Sequence, residues 1–167
     1  MHIALGANRP GFFLKEAIKD HLLCQGHELE DTGISAYDAE VPYYQVAAKV
    51  ARLVATKQVD RGILVCDTGM GMVIVANKFP GVYATLCENT QSAEKARSIH
   101  NSNVLALGGL STALLLAQNI IETWLYTEFT QSWEPAMQSF LQNSMKDIVA
   151  LEAELFSKTA TTFRRTL

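Results

Sequence analysis

Five short apolar segments alternate with stretches of helical periodicity along most of the chain, and this alternation restricts the fold more than any other feature. Short apolar runs predict strands, and apolar residues that recur every third or fourth position predict helices. Strands joined by helices form a parallel sheet with helices on both faces. The chain is therefore predicted to have an α/β fold with a doubly wound, Rossmann-like, five-stranded parallel sheet. The predicted strands are residues 2–5, 27–31, 62–65, 82–87 and 104–107, and the predicted helices are residues 12–23, 42–56, 72–78, 89–98 and 111–126, the last capped by Ser111 or Thr112.

The last part of the chain, residues 133–167, has no strand signal and is predicted to form one or two helices. Their apolar side chains need a partner, either the chain's own sheet or a second subunit, and Trp133 and Leu155 fit either contact. We expect one domain, with residues 1–129 as the α/β core. Residues 130–167 are expected to be a C-terminal helical extension in oligomer contact, with Arg164 and Arg165 in a solvated tail.

The composition excludes several classes of function. The chain has 167 residues and a net charge of −3, which gives no attraction to nucleic acid or to a membrane surface. Apolar runs are too short to span a bilayer, and we expect no signal peptide. Three cysteines at unrelated spacings do not fit a disulfide framework, so we expect free thiols and a cytoplasmic location. Histidine and cysteine spacing predicts no metal site, and no cofactor is expected.

The segment from Ile63 to Met72 carries the strongest indication of chemistry. An apolar run ends in Cys66, and the turn Asp67-Thr68-Gly69-Met70-Gly71 leads into a predicted helix. Backbone amides of such a turn, together with a helix N-terminus, can hold a negative charge. A thiol that faces this charge is a candidate base, and a base beside an anion site is what proton abstraction next to a carbonyl requires.

Three loops are expected to meet at one edge of the sheet, because parallel sheets bind ligands at the carboxyl ends of their strands. These loops are residues 6–11, 66–71 and 108–111. Cys24 and Cys87 are interpreted as small buried apolar residues, which is the usual role of a free cysteine. Cys66 is interpreted as functional because it ends a strand directly before the glycine turn.

Several sequence motifs between residue 1 and about residue 129 fit one family pattern. They are Ile3-Ala4-Leu5-Gly6, Gly11-Phe12-Phe13-Leu14-Lys15, Asp60-Arg61-Gly62-Ile63-Leu64-Val65-Cys66, Thr68-Gly69-Met70-Gly71, Ala76-Asn77-Lys78-Phe79-Pro80-Gly81 and Asn103-Val104-Leu105-Ala106-Leu107-Gly108. With them the chain resembles the ribose-5-phosphate isomerase type B family, which includes galactose-6-phosphate isomerase subunits and tetrulose-phosphate isomerases. The resemblance implies a doubly wound sheet of five parallel strands. It also implies a homodimer or homotetramer whose active sites are shared between subunits.

The resemblance implies metal-free aldose–ketose isomerisation of a small sugar phosphate through an enediolate. In this reaction Cys66 is the base, and Thr68 hydrogen-bonds the thiolate or a substrate hydroxyl. The amides around Gly69, Met70 and Gly71 hold the enediolate, and one such donor typically lowers a barrier by ~3 kcal/mol.

The first loop departs from the family pattern, with Asn8 and Arg9 in place of an Asp-His pair. Asn8 can hydrogen-bond a sugar hydroxyl but cannot accept a proton. Arg9 suits a phosphate or a carboxylate, or it is a solvated loop residue. Asp67 stands where the family usually has glycine. It can bind a hydroxyl, act as a second acid–base group, or cap the turn in solvent.

The ring-opening histidine of the family also lacks a direct counterpart. An ungapped alignment places Ile99 at that position and His100 after it. His100 and Asn101 either reach the site through a local shift or are ordinary hydrogen-bonded loop residues. In the second case ring opening lacks its usual acid–base group, which suits an open-chain sugar such as a tetrulose derivative.

The arginines that help hold phosphate in the family are missing at residues 109–111 and 130–137. Arg9, Lys15 and Arg97 remain as candidate cations. This loss supports an alternative function, the isomerisation of an unphosphorylated or acidic sugar. A further alternative is a non-catalytic partner subunit of a hetero-oligomeric isomerase.

Overall fold

The computed structural model describes residues 1–162, with side chains to residue 157, and confirms the doubly wound α/β fold. All strand pairs are parallel, and the sheet order is β2-β1-β3-β5-β4. Arg164 and Arg165, predicted to be solvated, lie outside the described residues. The strands are β1 (His2–Ala7), β2 (Glu28–Asp31), β3 (Arg61–Cys66), β4 (Ala84–Leu86) and β5 (Val104–Gly108), and the helices are α1 (Phe12–Cys24), α2 (Tyr43–Ala55), α3 (Met70–Ala76), α4 (Thr90–Ser98), α5 (Leu114–Tyr126) and α6 (Pro135–Thr162), with a 3-10 turn at Arg9–Gly11.

Two helices next to the predicted ligand edge begin at residues other than those predicted. Helix α5 begins after Ala113, so the prediction that Ser111 or Thr112 caps it is wrong. The N–H groups of Ser111 and Thr112 instead donate to the Gly108 carbonyl, at 3.3 and 3.0 Å, and form a turn that delays the helix. Helix α3 begins earlier than predicted, at Met70, because Gly69 makes the preceding turn with a left-handed backbone.

Consecutive residues of β3 supply two separate apolar cores, because successive side chains of a strand point to opposite faces. Ile63 and Val65 pack in the core that also contains side chains of α1, α4 and α5. Leu64 and Cys66 pack in the core on the other face, with side chains of α2 and α3. The alternation therefore directs the Cys66 side chain toward the α2–α3 face.

Up to residue 162, the C-terminal extension forms one helix, α6, and this helix contacts its own chain. Leu141 is buried, and the Glu152 carboxylate accepts hydrogen bonds from Gly81 N–H at 3.0 Å. The Trp133 ring lies 4.8 Å from the Lys95 ammonium. Other apolar side chains of α6 remain exposed, among them Phe140, Ile148, Val149, Leu151 and Leu155. Within residues 1–162, no helix is long and apolar enough to cross a membrane.

The cysteines differ in burial. Cys87 is buried, as predicted, and burial raises the pKa of its thiol. Cys24 is exposed at the end of α1, so the prediction that it is buried is wrong. Each helical residue advances about 100°, and Cys24 therefore lies on the side of α1 opposite the buried Leu22.

Candidate active site at the carboxyl ends of the strands

Strands β1, β3 and β5 end side by side and place three residues in one row. Ala7 is in register with Val65, and Cys66 is in register with Gly108. Asn8, which follows Ala7, is therefore the next residue beside Cys66. Neighbouring strands lie about 4.8 Å apart, so Asn8, Cys66 and Gly108 form a row within reach of one small ligand.

Close backbone contacts join the three loops that follow these strands. The Gly109 N–H donates to the Cys66 carbonyl oxygen at 2.6 Å, and the Leu110 N–H donates to the Asp67 carbonyl oxygen at 3.2 Å. A Cβ atom at Gly11 would lie 2.3 Å from the Val65 carbonyl oxygen, so the first loop rests directly on the end of β3. The sheet thus brings together the three loops that the sequence predicted to meet.

Cys66 and its two polar neighbours combine a mostly buried thiol with unsatisfied oxygen atoms. Cys66 is 8% exposed. The Oδ1 atoms of Asn8 and Asp67 are both buried and have no hydrogen-bond partner within the described part of the chain. Buried polar atoms are nearly always hydrogen-bonded, so these two oxygens are positions where the hydroxyl groups of a ligand can bind. Of the roles left open for Asp67, its buried Oδ1 atom favours contact with a ligand over capping in solvent.

The glycine turn presents backbone amides beside this row. Gly69 has a φ of 80°, which allows the chain to reverse and enter α3 at Met70. The first amides of a helix have no acceptor within it, and they are available to a negative charge. Thr68 and Met70 are exposed at the turn, and the Tyr43 ring packs over Gly71.

Arg9 lies at the rim of a cavity of about 350 Å³ at the same edge. Its Nη1 atom is 3.3 Å from Glu40 Oε1, and its guanidinium carbon is 5.1 Å from the centre of the Tyr37 ring. The residues that line the cavity are Asn8, Arg9, Glu40, Val41 and Pro42. Glu40 and Tyr37 were missed from the sequence because the loop before α2 has no periodicity that places it over the strand ends.

Lys15, a candidate cation, is fully buried and is committed to its own chain. Its Nζ atom is 2.8 Å from Asp31 Oδ2 and 2.9 Å from the Ile34 carbonyl oxygen. These contacts join α1 to the end of β2 and to the loop that leads toward Glu40. Lys15 therefore supports the loop and is not available to a ligand.

Arg97, the other candidate cation, is also committed. Its Nε atom donates to the Thr127 carbonyl at 3.2 Å, and its Nη1 atom donates to the Ser102 carbonyl at 2.6 Å and to Asn101 Oδ1 at 3.0 Å. Burial, helped by the charge of Arg61, lowers the pKa of Arg97 to about 10. The proposal of a ligand-binding role for Arg97 or Lys15 is thus corrected, because both side chains are buried and hydrogen-bonded to acceptors of their own chain.

His100 and Asn101 lie at the amino ends of the strands, whereas Cys66 lies at the carboxyl ends. They precede β5, while Cys66 is in register with its last residue, so the length of the strand, about 13 Å, separates them. A single chain therefore does not bring them to the thiol. His100 instead lines an apolar cavity of about 430 Å³ between the sheet and α6, together with Tyr83, Thr85, Phe140, Leu141, Met145 and Ile148, among others.

The cysteine, the glycine turn and the buried acceptors at the carboxyl ends of the strands form a site that suits a small hydroxylated ligand. A family model described as Ribose/Galactose Isomerase matches residues 3–138. The chain belongs to this family. It is an enzyme of the aldose–ketose isomerase class, and the resemblance seen in the sequence is confirmed.

Relatives and solved structures agree with this assignment. The 4-deoxy-4-sulfo-D-erythrose isomerase of Clostridium sp. (strain MSTE9) is 39% identical over 158 residues, which cover 95% of this chain and 99% of that protein. The ribose-5-phosphate isomerase B of Escherichia coli (strain K12) is 41% identical over 128 residues, 76% of this chain and 85% of that protein. The structure of Clostridium thermocellum ribose-5-phosphate isomerase B has a TM-score of 0.84 and 35% identity, and covers 93% of this chain and 99% of that one.

Proposed function

We propose that the enzyme interconverts the aldose and ketose forms of a small sugar phosphate or of its sulfonate counterpart, with Cys66 as the base. The observation that carries the proposal is the row of Asn8, Cys66 and Gly108 at the strand ends, next to the glycine turn. A thiolate there removes the proton from the carbon beside the carbonyl. The same proton, or one from water, then returns to the neighbouring carbon.

The turn after Cys66 holds the charge that develops during this step. The amides around Gly69, Met70 and Gly71 donate to the enediolate, and Thr68 hydrogen-bonds the thiolate or a hydroxyl of the substrate. Preorganised donors of this kind need no rearrangement when the charge appears. The left-handed turn at Gly69 supports this assignment because it starts α3 directly beside the thiol.

Asn8, Asp67 and Arg9 bind the rest of the substrate. The free Oδ1 atoms of Asn8 and Asp67 accept hydrogen bonds from sugar hydroxyls. Arg9 binds the acidic group at the far end of the sugar, since it lies at the rim of the cavity that Asn8 also lines. A guanidinium group suits this role because its parallel N–H donors match two oxygens of a tetrahedral anion.

We infer that the substrate has four carbons. A tetrose with phosphate or sulfonate at its last carbon has no hydroxyl there to close a five-membered ring, so it remains open and needs no ring-opening acid. Ile99 stands at the family's position for the ring-opening histidine, which supports such a substrate. A terminal sulfonate is supported by the 39% identity to the sulfo-erythrose isomerase, whose alignment covers 95% of this chain.

His100 and Asn101 are proposed to serve the Cys66 site of a second copy in a homodimer or a larger assembly. Met70 and Ile74 of α3, which follows the carboxyl end of β3, are exposed apolar residues. The apolar cavity next to His100 lies at the amino ends of the strands. In a two-fold symmetric pair, each such surface meets the other surface on the partner. There His100 and Asn101 hydrogen-bond the substrate.

The enzyme is proposed to act in the cytoplasm, because a free thiol that works as a base needs a reducing environment.

A substrate panel in deuterated water tests the proposal. The panel contains D-erythrose 4-phosphate, 4-deoxy-4-sulfo-D-erythrose, D-ribose 5-phosphate and unmodified D-erythrose, and NMR follows the reaction. We expect interconversion of a four-carbon acidic sugar, with deuterium entering the carbon beside the carbonyl. Turnover by the chain alone would exclude a non-catalytic partner subunit. Absence of exchange with every acidic sugar would overturn the proposed reaction.

A further inference from the structure

The cavity assigned to the terminal acidic group of the substrate contains a negative side chain as well as a positive one. Arg9 and Glu40 both line it, and their Nη1 and Oε1 atoms are 3.3 Å apart. Among the described residues that line the cavity, these two carry charge, and their charges cancel. Any anion that reaches Arg9 therefore also approaches the Glu40 carboxylate.

Arg9 contacts the ring of Tyr37 as well as the carboxylate of Glu40. The Tyr37 ring lies 5.1 Å from the guanidinium carbon, and stacks in turn on the Phe13 ring at 4.8 Å. A guanidinium group that lies over an aromatic ring keeps the N–H donors at its rim available to other partners. Glu40, whose side chain is 82% exposed, accepts from one side of the guanidinium group and leaves other donors free.

We propose that Glu40 is a specificity-determining residue that favours a singly charged terminal group over a doubly charged one. The inference rests on the proposed function, because it assumes that Arg9 binds the end of the sugar. A sulfonate carries one negative charge, whereas a phosphate ester carries about 1.5 to 2 at pH 7. Glu40 repels the second charge of the phosphate in addition to the first, and it thus selects for the sulfonate.

The size of the effect follows from Coulomb's law. One additional charge about 6 Å from a carboxylate in a water-like surrounding changes affinity by about threefold. Since Glu40 is exposed, added salt reduces the effect. The second ionisation of a phosphate ester has a pKa near 6, so the discrimination also weakens when the pH falls below that value.

The experiment compares two substrates in three forms of the full-length protein. The ratio of kcat/KM for 4-deoxy-4-sulfo-D-erythrose to kcat/KM for D-erythrose 4-phosphate is measured at pH 7.5 in low salt for the wild type, Glu40→Gln and Glu28→Gln. Glu28 is the matched control because it is exposed at the amino end of β2, away from the carboxyl ends where the cavity lies. We expect Glu40→Gln to lower the ratio by about threefold, and Glu28→Gln to leave it unchanged.

Two conditions separate a charge effect from a change of shape. The difference between wild type and Glu40→Gln is expected to shrink at about 0.5 M salt and at pH 5.5, where phosphate loses its second charge. An unchanged ratio in Glu40→Gln, an equal change in Glu28→Gln, or a change that salt does not reduce would each overturn the role of Glu40. Failure of the wild type to isomerise either sugar would instead overturn the proposed function.

Discussion

The backbone N–H of Gly109 donates a hydrogen bond of 2.6 Å to the carbonyl oxygen of Cys66 and ties the loop after β5 to the last residue of β3. On the other side, Gly11 lies against the Val65 carbonyl too closely for any side chain. The main chain of Cys66 is thus held between two loops. With the backbone fixed, its sulfur has only a few staggered positions, and the sheet itself positions the proposed base.

Replacement of this thiol tests its role directly. Cys66→Ala is expected to lower kcat by about 10²- to 10⁴-fold, the usual contribution of a positioned base, and to abolish deuterium exchange. The fold should remain, because removal of one buried sulfur from a small side chain costs only about 1 kcal/mol. Cys24→Ala, at the exposed end of α1, is the control and should retain full activity. A Cys66→Ala enzyme with near-normal turnover would show that another group is the base.

Gly69 and Gly81 provide a matched test of the turn. Both have a positive φ, 80° and 76°, so alanine strains either backbone by about 1 kcal/mol. At Gly69 the new Cβ atom would also lie 2.7 Å from Leu86 Cδ1 and 3.1 Å from the Leu107 carbonyl oxygen, whereas at Gly81 nothing lies within 4 Å. We therefore expect Gly69→Ala to lower kcat by at least tenfold, since the turn must shift its amides, and Gly81→Ala to lower only thermal stability. Equal kcat values for the two variants would argue against an anion site at this turn.

Periodicity predicted the sheet, because the residues that form one strand or helix are neighbours in sequence. The same local information placed Cys66 at the end of a strand, as the structure shows, since a strand end followed by a glycine turn can be recognised without tertiary contacts. Burial and ion pairing cannot be recognised in that way. Lys15 has its partner Asp31 sixteen residues further on, in another element, and nothing near either residue indicates that they meet.

The sequence also did not show at which end of the strands the loop that contains His100 and Asn101 lies. His100 and Asn101 lie one position away from the family's motif, and the sequence did not reveal whether they reach a site within one chain or across two. The helix start after residue 111 shows a related limit, since Ser111 and Thr112 are good capping residues that the Gly108 carbonyl instead recruits into a turn. The hydrogen bonds to the Gly108 carbonyl, at the end of β5, outweighed the capping propensity of Ser111 and Thr112.

Mixed oligomers test whether His100 acts across two copies. Cys66→Ala and a His100→Ala/Asn101→Ala variant are unfolded together in equal amounts and refolded. If sites are shared in pairs, half of the pairs are mixed and each mixed pair has one intact site, so about a quarter of wild-type activity should appear. If each chain forms its own site, refolding gives only the mean of the two parent activities. The assay is turnover of the preferred substrate, with refolded wild type as the reference.

The Lys15–Asp31 pair predicts a pH-dependent contribution to stability. Burial raises the pKa of Asp31, but hydrogen bonds from Lys15 and Lys19 lower it further, and the net pKa lies below its ordinary value. A carboxyl with a lowered folded pKa stabilises the protein above its unfolded pKa, about 3.9, and this stabilisation is lost as the pH falls through the folded pKa.

Lys15→Met should therefore lower the free energy of unfolding at pH 7 by about 3 kcal/mol, because it leaves a partly buried carboxylate with less compensation. Lys19→Met is the control. It removes a second cation from the same oxygen, also at 2.8 Å, but its side chain is one-third exposed, so we expect a loss of about 0.5 kcal/mol. Urea denaturation at pH 7 and pH 3.5 measures both variants, and the loss in Lys15→Met should be smaller at the lower pH. Equal losses in the two variants would mean that burial of Lys15 adds nothing to the pair, and that the loop leading to Glu40 is held by other contacts.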